Sequence, residues 1–306
     1  MPHAQTLILY CIAILIASLA GGVVPSIVKL THRRMQLSLC LVSGVMLGVG
    51  LLHMLGHAVE MAIHAPPGSS APDVHGIMLA AMIGFLTMFL LERFFCFHHH
   101  ETPDEHGDTG GHEHGQGDPA STDDPPTSSH RLQWVGALIG LTVHTLLAGI
   151  ALGAAVSAAS PAGWPAFGVF LGILLHKPFD SFTIVALMQR SGRPRLAVHL
   201  ANLVFALVIP VGVLLFVIGA DLASNAATFT TLALAFSAGT FICIAASDVL
   251  PELQFHKHDR VAMTCMLVAG LAIAWGSGLL EEGGHHHHHH GPVSDVDVTG
   301  PSRPSP

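Results

Sequence analysis

Apolar residues run along this chain in long blocks separated by short polar stretches. The blocks lie at 7–28, 37–59, 77–91, 132–159, 166–188, 196–220, 229–250 and 261–280. A helix needs ~20 residues to cross the hydrocarbon of a bilayer, and most of these blocks reach that length. The third is short and borrows turns at both ends, with Glu92 and Arg93 snorkelling outward. In lipid a backbone amide must bond within its own segment, so the blocks predict helices. A barrel would instead show weakly alternating strands of ~10 residues. The predicted fold class is therefore an all-α integral membrane protein with eight transmembrane helices, and its first partner is the lipid bilayer.

Composition agrees. Hydrophobic residues make up 51% of the chain and charged residues only 10%, well below the quarter or so that soluble domains carry. The first block is too long for a cleavable signal, and "MPHAQT" before it has no basic residue. The five cysteines (Cys11, Cys40, Cys96, Cys243, Cys265) are scattered and form no CxxC, so neither a disulfide framework nor a zinc ribbon is expected. Net charge is −8 and is carried by loops and tails, which argues against nucleic acid as a partner.

Apart from Lys177 inside a span and Arg303 in the tail, Lys and Arg fall only in alternate connections. Lys29, Arg33 and Arg34 follow the first block, and Arg93 and Arg131 flank the third connection. Arg190, Arg193 and Arg195 lie in the fifth, and Lys257 and Arg260 in the seventh. The positive-inside rule then puts these connections in the cytoplasm and both termini outside. Four regions result: 1–97 with the first three spans, a His-rich loop at 98–130, spans four to eight at 131–281, and a tail at 282–306. The loop is rich in Gly, Pro, Asp and His, which predicts disorder with weak metal capture by its imidazoles. The six-histidine run at 285–290 reads either as a purification tag or as a natural metal-gathering tail.

Chemistry is concentrated where ionisable residues interrupt the oil. The fifth block contains "LLHKPFDSFTIV" at 174–185, and the fourth holds His144 near its middle. A charge inside a bilayer is costly and is functional by default. Consecutive antiparallel spans bring His144 and His176 to matching depth, and Asp180 lies one helical turn beyond His176 on the same face. Two neutral imidazoles and a carboxylate suit Zn²⁺ and its neighbours. Pro178 removes a helix hydrogen bond between the two ligands of this span. Lys177 opposes a metal by its charge, so either it points away or it fills the place of a second ion. Gly136/Gly140 and Gly149/Gly153 on span four, with Gly168/Gly172 on span five, predict close backbone packing of these two helices.

These residues resemble the ZIP (Zrt/Irt-like) family of divalent-metal transporters. The likeness rests on "HTLLAGIALGAA", "HKPFD", "SAGTFICIAASDVLPELQFH" and "SGVMLGVGLLHMLGHAVE", and covers most of the chain. The resemblance implies a ZIP-like bundle in which spans one, four, five and six move against two, three, seven and eight, in a homodimer. It also implies Met46 as a weak fourth ligand. The chain departs from two-metal members: Ala148 stands where a bridging carboxylate is expected, and Ile209 where some members carry an acid. Lys177 follows the second histidine, as in a branch with a single transport metal. The first site survives as His144, His176 and Asp180.

Two further groups are candidates. His53 and His57, with Glu60, are placed to form an outer site through which metal enters. Asp248 and Glu252, with His256 and His258, are placed to form an inner site through which it leaves. The function expected is transport of a divalent cation, Zn²⁺ ahead of Fe²⁺, Mn²⁺ or Cd²⁺, into the cytoplasm across the cell membrane. The metal is a substrate; no catalytic cofactor is implied. An intramembrane metalloenzyme is the alternative from another class, yet no HExxH occurs and no acid adjoins either histidine. A non-transporting metal sensor is the other, given Ala148 and Lys177.

Overall fold

The structure is a computed structural model and describes residues 2–27, 31–66, 72–95, 128–159, 164–255 and 260–282. Eight helices long and apolar enough to cross a membrane occur among them. We number them α1 (Pro2–Ile27), α2 (32–63), α3 (Val74–Phe95), α4 (Ser128–Ala158), α5 (Phe167–Arg190), α6 (195–222), α7 (Ala226–Phe255) and α8 (Arg260–Glu282). The short third block does extend at both ends, taking in Glu92 and Arg93. Helix α4 starts at Ser128, slightly before the expected end of the His-rich loop.

Two helices are irregular. Helix α2 passes through a π-helical segment at Val49–Leu55 between α-helical pieces His32–Gly48 and Gly56–Ile63. Helix α6 consists of Arg195–Ala206 and Val208–Leu222, broken at Leu207. Pro210 accounts for the break, since it has no N–H for the Ala206 carbonyl and its ring crowds that carbonyl. Pro178 leaves α5 continuous. The turn from α5 to α6 uses Gly192 at φ +67°, where the Arg193 N–H reaches back to the Met188 carbonyl. Glycine adopts that left-handed backbone without a Cβ clash.

The surface of the bundle is apolar. Ile8, Leu9, Ile12 and Ile16 on α1, and Met82, Ile83, Leu86 and Phe89 on α3, are exposed. A contiguous oily surface of this kind belongs against lipid tails. The interior, by contrast, mixes Ala, Ser and Thr with larger apolar residues and holds His144, His176, Lys177 and Asn202.

The most extensive helix contacts pair α2 with both α7 and α8, α3 with α7, α1 with α5 and α4 with α6. Glycine lets the backbones touch at each crossing. A methyl group built at Gly149 would lie 2.9 Å from the Gly212 Cα and against the Ile209 carbonyl. Gly44 and Gly270 meet in the same way on α2 and α8, Gly84 and Gly239 face backbone across α3 and α7, and Gly21 rests on Pro178. Helix α1 is further tied to α5 by the Ser18–Ser181 hydroxyl pair at 2.7 Å and by Tyr10 stacked on Phe170. The small residues of α4 were expected to approach α5; instead Gly149 and Gly153 face α6 and its Phe216, while Gly168 faces His53 and Ser277. Small-xxx-small spacing marks a face that can be approached closely, and does not choose the partner.

Candidate metal centre

His144 comes from α4, and His176 and Asp180 from successive turns of α5. Both histidines are buried, and Asp180 is nearly so. The imidazole centroids are 5.4 Å apart. Nε2 of His144 lies 3.6 Å from Asp180 Oδ2, and Nε2 of His176 lies 3.9 Å from the same oxygen. One ligand atom from each residue fits within 4.8 Å of the others.

The His176 ring is oriented by what surrounds it. Its Nδ1 is 2.7 Å from the Gly172 carbonyl one turn earlier. A carbonyl can only accept, so Nδ1 carries the proton and Nε2 presents its lone pair to Asp180. Phe241 of α7 stands perpendicular to the ring at 6.0 Å between centroids. A hydrogen bond on the far nitrogen is the usual means of fixing a metal-binding imidazole. His176 Nε2 and Asp180 Oδ2 are both buried without a hydrogen-bond partner among the described residues. Two such acceptors, left facing each other, are what a cation would satisfy.

Tetrahedral Zn²⁺ bonds imidazole nitrogen and carboxylate oxygen at about 2.0–2.2 Å, which sets ligand atoms roughly 3.4 Å apart. The two His–Asp distances are within about half an ångström of that spacing. For each His–Asp pair that gap is within reach of side-chain adjustment.

Lys177 is completely buried beside this trio. Its Nζ donates to Thr145 Oγ1 at 2.6 Å, lies 3.7 Å from Asp180 Oδ2 and sits 3.4 Å above the centroid of the Phe205 ring. It neither points away from the ligands nor occupies their midst. Ala148 and Ile209 are buried and apolar. Met46 is fully buried on α2, one turn before Val49, the residue that faces Gly172.

The outer residues separate. His57 Nδ1 pairs with Glu60 Oε2 at 3.2 Å, and both side chains are well exposed. His53 turns aside, its Nε2 2.7 Å from the Ala274 carbonyl and 3.2 Å from Ser277 Oγ on α8. Gly168 and Gly278 border that ring and leave room for it. The expected three-residue outer site is thus divided into an exposed pair and a packed histidine, because i,i+4 spacing gives a shared face without naming what the face meets. Asp248 and Glu252 lie on α7, but their side chains, and His256 and His258 entirely, lie outside the described residues, as do 98–127 and 283–306.

Three residues around the ligands were not anticipated in these roles: Thr145, Phe205 and Phe241. Thr145 adjoins His144 in sequence, and that adjacency was the one signal that could have flagged its hydroxyl. The two phenylalanines carry no local signal that separates them from lipid-facing ones.

The ZIP Zinc transporter family model matches residues 4–280. Zinc transporter ZIP9-B of Xenopus laevis is 27% identical, with 89% of this chain and 97% of the relative covered. Zinc transporter ZIP9 of Micropogonias undulatus is 25% identical over 86% of this chain and 89% of the relative. Zinc transporter ZIP1 of Mus musculus is 25% identical over 80% and 78%. With eight apolar helices, a buried His/His/Asp group and a family match across nearly its whole length, the chain belongs to the ZIP zinc transporter family.

Proposed function

We propose that this protein carries Zn²⁺ across the cell membrane into the cytoplasm, one ion at a time, through His144, His176 and Asp180. The observation that carries the reading is the convergence of the two Nε2 atoms on Asp180 Oδ2 inside the bundle. Membership of a transporter family disfavours the metalloenzyme reading, and the relatives are named for zinc. Zinc suits the donors as well, being a borderline ion that accepts nitrogen and oxygen together.

In this scheme His57 and Glu60 gather the hydrated ion at the outer mouth. The ion sheds water and is taken by the trio, with Met46 as a weak fourth ligand. Asp248, Glu252, His256 and His258 receive it on the inner side. The alternation of basic connections supports a cytoplasmic inner side and termini outside. The dense pairing of α1 with α5 and α4 with α6 supports their moving together, against the set formed by α2, α3, α7 and α8. The protein works as a homodimer.

Uptake of radioactive zinc into proteoliposomes tests the proposal, with Cd²⁺, Fe²⁺ and Mn²⁺ as competitors. Saturable uptake that disappears in His144→Ala and in His176→Ala is expected. Binding without accumulation in the wild type would make the protein a sensor instead.

A further inference from the structure

The lysine beside the ligands poses a problem. An ammonium three residues before a buried carboxylate, in a medium of low dielectric, should close to the ~2.8 Å of a charge-assisted hydrogen bond. Lys177 Nζ instead stops 3.7 Å from Asp180 Oδ2, and that oxygen has no hydrogen-bond partner among the described residues. Something holds the ammonium about 0.9 Å short of contact.

Two side chains from neighbouring helices do so. Thr145 Oγ1 on α4 accepts from the ammonium at 2.6 Å, just below the usual range for such a bond. The Phe205 ring on α6 receives the cation on its face at 3.4 Å. Neither partner can give way easily. Thr145 is fully buried and follows His144 directly, so its hydroxyl is fixed by the same turn that fixes a metal ligand. Phe205 is buried among Ile184, Val185, Met188 and Val198.

We propose that Thr145 and Phe205 are positioning residues that dock the Lys177 ammonium off the Asp180 carboxylate and so keep that oxygen open to the metal. The inference rests on the His144/His176/Asp180 reading above. Helices α4, α5 and α6 each contribute to the dock, and α4 and α5 supply the ligands from the same turns. A lysine released from the dock would bond Asp180 directly and compete with the ion for its carboxylate oxygen. The dock therefore sets how tightly the site can hold zinc, through a residue that never touches the metal.

A double-mutant cycle on the full-length protein, with zinc affinity measured calorimetrically in detergent, tests this. Thr145→Val keeps the shape and removes the acceptor; Phe205→Leu keeps apolar bulk and removes the ring face. Each is expected to weaken zinc binding about tenfold, the lower end for groups that position metal ligands, while Thr145→Ser binds as wild type. In a Lys177→Met background both substitutions should leave zinc affinity unchanged. Wild-type affinity in Thr145→Val and in Phe205→Leu would overturn the proposal, as would equal losses with and without the lysine, which mean ordinary packing. Phe205→Leu carries the test if Thr145→Val does not elute as a folded species. His144→Ala separates the two levels: a zinc-binding isotherm unchanged from wild type there defeats the metal-site reading itself, whatever the dock does.

Discussion

Asp180→Asn is the substitution that probes most of the site at once. It keeps the side-chain shape, removes the negative charge and leaves Lys177 buried with its ammonium uncompensated. The Lys177–Asp180 separation is 3.7 Å; at an effective dielectric of about 20 that attraction is about 4.5 kcal/mol. Part of it is screened, because the carboxylate is 14% exposed. A loss of about 3 kcal/mol follows, the low end for breaking a buried pair from one side. Chemical denaturation in detergent micelles, followed by tryptophan fluorescence, reads this loss. Zinc adds a second reading. At about one hundred times its dissociation constant, a ligand stabilises the state it binds by about 2.7 kcal/mol. The wild type should show that gain, and Asp180→Asn essentially none. Adding Lys177→Met to Asp180→Asn should recover most of the lost stability by removing the orphaned charge, without recovering the zinc effect. If Asp180→Asn unfolds with the wild type, or still gains protection from zinc, the charge assignment is wrong.

Other consequences are open to simpler assays. Gly149→Val should destabilise the protein by about 1–3 kcal/mol by forcing α4 from α6, whereas Gly276→Ala, which meets nothing within 4 Å, should be near neutral; thermal denaturation of purified protein compares them. Protons compete with metal for imidazole nitrogen, and a protonated ring cannot ligate. Initial rates of zinc uptake should therefore fall about tenfold from about pH 7.5 to about pH 5, and a flat profile would count against histidine ligation. His53→Ala should cost roughly 1 kcal/mol through its lost bonds to α8 while leaving KM for zinc unchanged, whereas His57→Ala and Glu60→Ala should raise KM several-fold. A KM shift confined to His53→Ala would reverse those roles.

The spans were legible because lipid imposes a length and forbids unpaired backbone, so apolar runs alone delimit helices. His144, His176 and Asp180 were legible for a related reason: ionisable groups are too costly in oil to be scattered, and two adjoining antiparallel helices fix their relative depth. What escaped sequence reading was set by tertiary contacts. No residue between Val49 and Leu55 announces a π-helical segment. The partner of Gly149 turned out to be Gly212 of α6, across a crossing that spacing cannot choose. Asn202 donates to the Leu19 carbonyl at 3.4 Å and packs on Gly22 of α1, a partnership that no local pattern announces. Phe205, one among many phenylalanines, acquires its role only because Lys177 lies over it. Pro210 was visible, but the break it makes at Leu207 depends on how α6 accommodates the lost bond.

X-ray absorption at the zinc edge tests the central claim most directly, using protein loaded with one equivalent of Zn²⁺. Two imidazole nitrogens and at least one oxygen at about 2.0–2.2 Å are expected, with the imidazole signature halved in His144→Ala and in His176→Ala. A first shell unchanged by both substitutions would mean that zinc binds elsewhere.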